Sequence, residues 1–272
     1  MKIKFSAHAW LVAFTIALLL QACSANTPIP PINTTTVPST DTPQPTSTRA
    51  PNLTATQRAK EWINSMHLPT LISNPTPQER DGPDAEAQKY FELGYLPNAN
   101  GRLIKFGDFK NEWAQLGWYH RLTFDGYQAS DFYMSGHFKW SSAYRSADLS
   151  GCGFIFAEQE NGDHYAVFLD RSKVLFVETK KYYSPIGTTR GTGRVNFDNP
   201  FDRPVEADFT LIVNGAYAYV LVDGSVIGEY TLSQSKALPG KIGLALLSGT
   251  NKDFGTRCEI TNLHLWIPKN SQ

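Results

Sequence analysis

The chain has 272 residues, and its 25 basic and 25 acidic residues balance. That balance excludes a nucleic-acid binder resting on bulk positive charge, and a charged fraction of only 18 % excludes an acidic disordered tail. Aromatic residues at 12 %, with 20 glycines and 17 prolines, suit a turn-rich β protein better than a helical bundle.

Lys2 and Lys4 open the chain, and Trp10 to Leu20 is apolar except for Thr15. A helix of that length, at about 1.5 Å per residue, cannot cross a hydrocarbon core of about 30 Å, so residues 1–22 read as an export signal. Leu20-Gln21-Ala22-Cys23 resembles the bacterial lipoprotein lipobox, in which cleavage leaves a lipidated Cys23 as the new N-terminus. The alternative is an ordinary secretory signal with a chance cysteine. Cleavage would leave 250 residues, 23 basic and 25 acidic. The expected location is the cell membrane, lipid-anchored, facing the extracellular side or the periplasm. In residues 24–51, 18 of 28 are Pro, Ser or Thr and none is aromatic. Such a segment buries too little apolar surface to offset its ordering entropy. With Cys23 it forms a stalk over 23–51, reaching at most about 85 Å if extended as polyproline II.

Residues 52–100 read as a helical and loop lead-in. Thr54 and Gln57 have capping-box spacing, and Ala55, Ala59, Trp62, Ile63 and Met66 recur at helical intervals over 54–66. A second short helix runs from Asp84 to Leu93 and ends at Gly94. Pro69, Pro75, Pro77 and Pro83 make the connection a loop.

Strand patterns then dominate: 118–124, 131–140, 152–159, 163–170, 173–179, 206–213, 216–222, 226–232, 241–247 and 256–266. Asn161-Gly162, Asn214-Gly215 and Asp223-Gly224 separate consecutive strands. Each tolerates the positive φ of a type I′ turn and signals an antiparallel hairpin. No helical period intervenes, which excludes a parallel α/β fold. Gly153-Phe154-Ile155-Phe156-Ala157 and Ile242 to Leu247 are apolar on both faces, whereas Asp208-Phe209-Thr210-Leu211 alternates. Central and half-exposed strands together describe an all-β fold, a two-sheet antiparallel jelly-roll sandwich over 101–268 with a short helical N-terminal lead-in.

Cys152 and Cys258 remain after Cys23. An even remainder in an exported chain suggests a disulfide closing a loop of over 100 residues. Two buried free thiols are the alternative. No CxxC or HxH spacing exists, so no metal site is expected from these residues.

From Phe132 through Trp266 the chain resembles the concanavalin A-like lectin/glucanase jelly roll. It is most similar to laminin-G-like domains and the 3-keto-disaccharide hydrolase domain family. The residues that carry the resemblance are Asp131-Phe132-Tyr133-Met134, Gly151-Cys152-Gly153-Phe154-Ile155-Phe156, Glu160 to Tyr165, Asp223-Gly224, Gly240 to Leu244 and Asn262 to Trp266. These are turns and core strands, so they report fold and not activity. Jelly rolls of this class often bind structural calcium, for which Asp198-Asn199-Pro200-Phe201-Asp202 offers oxygen ligands. The alternative there is a plain Asx-rich turn, and no other cofactor is expected.

Glucanases of this fold carry Glu-x-Asp-x-(x)-Glu on one strand. The nearest match, Glu158-x-Glu160-x-x-Asp163, has the wrong residue order and a turn inside it, so these acids read as solvated turn residues and no catalytic residue is assigned. His137, His164 and His264 lie on strands with no spacing to a nucleophile and read as surface residues. Aromatic rings are the better lead, because sugars stack their C–H faces on them. Along 131–140, Tyr133, Ser135, His137 and Lys139 point opposite to Phe132, Met134, Phe138 and Trp140, and the second set reads as core. The preceding strand adds Tyr119 and Arg121, and loops add Tyr144, Tyr182 and Tyr183. The alternative is that these tyrosines are ordinary half-buried surface residues.

The expected function is non-catalytic binding of an extracellular carbohydrate or cell-surface polymer by a membrane-anchored lipoprotein that binds no nucleic acid. The rivals are a glycoside hydrolase of the 3-keto-disaccharide type and a protein-binding adhesion module.

Overall fold

The structure is a computed structural model, and it describes residues 76–144, 149–180, 182–197, 203–233 and 239–269. The signal, Cys23, the stalk, the helix expected over 54–66 and the calcium loop 198–202 lie outside them.

The described residues form β1 (Gln78–Pro83), α1 (Ala85–Glu92), β2 (Asn100–Lys105), β3 (Phe109–Trp113), β4 (Trp118–Ala129) and β5 (Phe132–Ser142). Then come β6 (Gly151–Glu158), β7 (His164–Leu169), β8 (Val174–Thr179), β9 (Tyr183–Pro185) and β10 (Arg190–Gly191). The chain ends with β11 (Val205–Asn214), β12 (Tyr217–Val222), β13 (Ser225–Thr231), β14 (Gly240–Ser248) and β15 (Thr256–Pro268). One sheet has nine strands, ordered β1-β2-β15-β5-β11-β12-β13-β10 with β3 also on β15, and the other has six, ordered β4-β14-β6-β7-β8-β9. All their ladders are antiparallel. The two sheets pack as a sandwich, so the jelly-roll class expected from the alternation is the observed one.

Alternate side chains of both sheets fill the space between them. Phe138 and Phe154 meet edge to face at 5.0 Å, and Phe154 stacks on Phe209 at 5.3 Å. Phe132, Met134, Phe138 and Trp140 of β5 are all in this core, as their spacing predicts. Cys152 on β6 and Cys258 on β15 are disulfide-bonded across the sheets, with Cα atoms 6.1 Å apart.

Three expectations are corrected. Residues 78–83 are not loop but an edge strand; the segment is largely exposed and holds no large apolar side chain, so it shows no alternation to read. Of the three hairpin turns only Asp223-Gly224 has positive φ at both residues, as a type I′ turn needs. At Asn161-Gly162 and Asn214-Gly215 only the glycine has positive φ. Finally, β4 and β5 are consecutive in sequence but lie in different sheets, because the chain crosses between sheets at Ser130-Asp131.

Helix α1 forms where the sequence places it. Asp84 caps it, accepting from the backbone N–H of Glu86 at 3.0 Å and of Ala87 at 3.1 Å. Its apolar stripe, Ala87 and Tyr90, packs on the outer face of the nine-stranded sheet against Tyr133, Ile212, Leu221 and Trp266.

Candidate functional site

The six-stranded sheet has an outer face that no helix covers among the described residues. Its central outward side chains are small or apolar: Ile155, Ala166, Phe168, Val177, Ala245 and Leu247. Cross-strand pairs set them side by side, with Ala245 opposite Gly153 and Gly153 opposite Phe168.

Tyr119 of β4 crosses this floor. Its hydroxyl lies 2.6 Å from Nε2 of His164 on β7 and 2.7 Å from Oγ1 of Thr179 on β8. Strands β14 and β6 stand between β4 and β7. In a flat sheet three spacings of about 4.8 Å would put His164 beyond the reach of a tyrosine. The sheet therefore curls toward its own outer face, and that face is the concave one.

The hydrogen bonds fix the direction of this chain of groups. The Gly162 carbonyl, 2.7 Å from His164 Nδ1, can only accept, so Nδ1 carries the proton. Nε2 then accepts from the Tyr119 hydroxyl, whose oxygen accepts from Thr179. Arg121 Nη1 stands 3.4 Å from Nδ1, where two donors face one another. Burial lowers the His164 pKa, the Gly162 bond opposes that, and the Arg121 charge adds to the lowering, so the site favours the neutral ring. Burial likewise raises the Tyr119 pKa.

A polar groove of about 700 Å³ opens beside this bridge, at the rim where the β6–β7 hairpin meets Pro239 to Lys241. Glu158, Glu160, Asp163, His164 and Glu178 line it, with Lys180 and Lys241. Glu158 pairs with Arg121 at 2.6 Å. Glu178 accepts from Tyr165 at 3.1 Å, from Lys180 at 2.9 Å and from Ser233. Burial raises the Glu178 pKa, but those three bonds outweigh it and hold the carboxyl below its usual range. No group of three or more metal-ligating side chains occurs among the described residues.

The expected ligand-binding residues divide between the two sheets. Tyr119 and Arg121 lie on the concave face. Tyr183, expected in a loop, instead opens strand β9, where it pairs with Thr179 and joins them, and exposed Tyr182 precedes it. Tyr133 corrects the expectation of an exposed ring: it is fully buried under α1, where it donates to Asp84 at 2.7 Å and stacks on Trp266. His137 and Lys139 lie on the outer face of the other sheet, where Glu206 pairs with both and Asp208 with His137. The Asp208 bond, against burial, raises the His137 pKa. Tyr144 follows β5, with the Lys252 ammonium 4.1 Å over its ring.

Sequence reasoning missed Thr179, read His164 as a surface residue and set Glu158 aside as a solvated turn acid. Glu158 is half-buried and ion-paired, and His164 is buried at 4 % exposure. The legible signal was the β7–β8 register, which sets His164 opposite Thr179. His264 is also no plain surface residue, since its Nε2 lies 2.9 Å from Glu86 of α1.

No protein-family model and no curated protein sequence matches the chain. Solved structures resemble it at low identity. A carbohydrate binding module, CBM66 from Bacillus subtilis, is 13 % identical with a TM-score of 0.37, over 58 % of this chain and 93 % of that one. Sheep galectin-11 is 9 % identical with a TM-score of 0.33, over 56 % and 99 %. The Crh5 transglycosylase is 12 % identical with a TM-score of 0.39, over 72 % and 86 %. At such scores the likeness carries no argument about activity, and the fold class rests on the sheet topology itself.

Proposed function

We propose that the concave face of the six-stranded sheet binds carbohydrate without cleaving it. The observation that carries this reading is the convergence of a polar groove of about 700 Å³ with Tyr119 and Tyr183 on one open face. Tyrosine rings offer negative faces to sugar C–H groups, and the groove supplies carboxylate, ammonium and amide groups to fix hydroxyls. Titration calorimetry of the full chain against an oligosaccharide panel tests it. Binding that Glu158→Gln and Tyr183→Ala each weaken about tenfold supports the reading. Binding that neither variant touches, or no binding to any sugar, overturns it.

One observation favours a second reading, a glycoside hydrolase of the 3-keto-disaccharide type that the sequence resembles. Acids and a histidine line the same groove. Against it, Glu178 is shifted away from the raised pKa a general acid needs, and both His164 nitrogens already have partners. Chromatography of the same mixtures decides it: a cleaved product replaces the binding reading with the hydrolase.

We also propose display from the membrane through lipidated Cys23, on the lipobox resemblance of Leu20 to Cys23. Cys23→Ser should move the protein from the membrane fraction to the soluble one, and an unchanged distribution refutes the anchor.

A further inference from the structure

Behind the Tyr119 bridge lies a second cavity of about 160 Å³. Phe168, Leu175, Val177 and Leu247 belong to its lining, and Tyr119 and Tyr183 wall it. The hydroxyls of those two tyrosines are the only polar side-chain atoms among its lining residues. That of Tyr119 is already committed to His164 and Thr179. Apart from the Tyr183 hydroxyl at its wall, a sugar hydroxyl pushed into this cavity would meet no free side-chain partner and would largely go unpaired. An apolar group would not, and a cavity of about 150 Å³ with such a lining is large enough for benzene.

The cavity and the polar groove share a partition. Tyr119 faces the cavity, and its partners His164 and Thr179 line the groove. One ligand can therefore occupy both sides.

We propose that this face reads a two-part ligand: a carbohydrate held in the polar groove, carrying one apolar substituent of about phenyl size that fills the cavity. The proposal rests on the carbohydrate reading and names the substrate class within it. It also assigns Phe168, Leu175, Val177 and Leu247 as a specificity pocket. A bare oligosaccharide uses only half of the face.

Two measurements on the full chain test it. In the first, benzene is added and the methyl resonances of Leu175, Val177 and Leu247 are followed by NMR. In the second, calorimetry compares the methyl and phenyl β-glycosides of glucose, galactose, mannose and xylose in matched pairs. The expected results are shifts confined to the cavity methyls, and at least about tenfold tighter binding of the phenyl member of one pair. Val177→Phe, which fills the cavity, should remove that increment. The benzene experiment needs no variant, so a misfolded Val177→Phe leaves the test standing. Unmoved methyls, or equal affinity for both members of every pair that binds, overturns the apolar subsite and leaves the carbohydrate reading intact. Benzene in the cavity with no glycoside bound in any pair overturns the two-part ligand together with the carbohydrate reading.

Discussion

The two sheets treat their outer faces in opposite ways. On the nine-stranded sheet, Tyr133, Ile212, Leu221 and Trp266 point outward and are sealed by a helix that its own cap and polar clasp hold down. On the six-stranded sheet the outward side chains are equally apolar, but one tyrosine spans them. A helix removes its face from solvent for good. A single side chain, held by two hydrogen bonds, leaves cavities on either side of it. One face is thus spent on stability, and the other remains available for recognition.

The sharpest way to break this contrast is Tyr133→Ala. The ring is fully buried between Tyr90 and Trp266, and its loss should cost about 3–5 kcal/mol in chemical denaturation. Ligand affinity should survive in whatever fraction stays folded. A loss below about 1 kcal/mol would mean that α1 does not seal the face.

Removing the disulfide acts on both sheets at once. A Cys152→Ala/Cys258→Ala variant should lose about 2–4 kcal/mol, measured against the oxidised protein under the same denaturant. An undiminished midpoint would show that the cross-sheet bond adds nothing to packing.

A smaller effect comes from the clasp under α1. Burial pulls the His264 pKa down, but its bonds to Glu86 and the Asn262 carbonyl outweigh that and raise it. Burial pushes the Glu86 pKa up, but bonds from His264 and Tyr90 lower it. The Glu86 contribution is present above its ordinary value of 4.5 and is lost as pH falls through its lowered folded value. The His264 contribution is full below its ordinary value of 6.5 and is lost as pH rises through its raised folded value. His264→Gln should therefore cost about 1–2 kcal/mol at pH 6 and less at pH 9. A Tm difference that grows toward pH 9 would contradict the ion pair.

The smallest effect belongs to the uncovered part of the nine-stranded face. Lys139→Ala breaks an exposed pair with Glu206 and should change stability by less than about 0.5 kcal/mol. It should leave carbohydrate affinity untouched, because Lys139 is on the other sheet from the groove. A large loss of affinity would move the binding site to that face.

Much of this was legible in the chain. All ten expected strands exist, because hairpin dipeptides and period-two alternation are local signals. Asp84 and Gly94 marked the helix for the same reason. The site was harder to read. Tyr133 looks exposed by parity, and only α1, 41 residues upstream at Glu92, reveals its cover. Tyr119 and His137 look like neighbours because β4 precedes β5, but sheet membership depends on distant pairing with β14 and β11. The Tyr119–His164–Thr179 bridge requires curvature, which no sequence period encodes.

The Cys152–Cys258 bond also sets a mechanical boundary. It turns everything from β6 to the start of β15 into one covalent ring, and Glu158, His164, Thr179 and Tyr183 all lie inside that ring. Tyr119 and Arg121 lie outside it, on the N-terminal side. Tension applied from the N-terminus can peel β4 away, but unravelling stops at Cys152. Under load the residues of the ring, which carry the groove and most of the concave floor, cannot be drawn out along the chain while the bond stands, whereas β4 and the tyrosine that spans the face can.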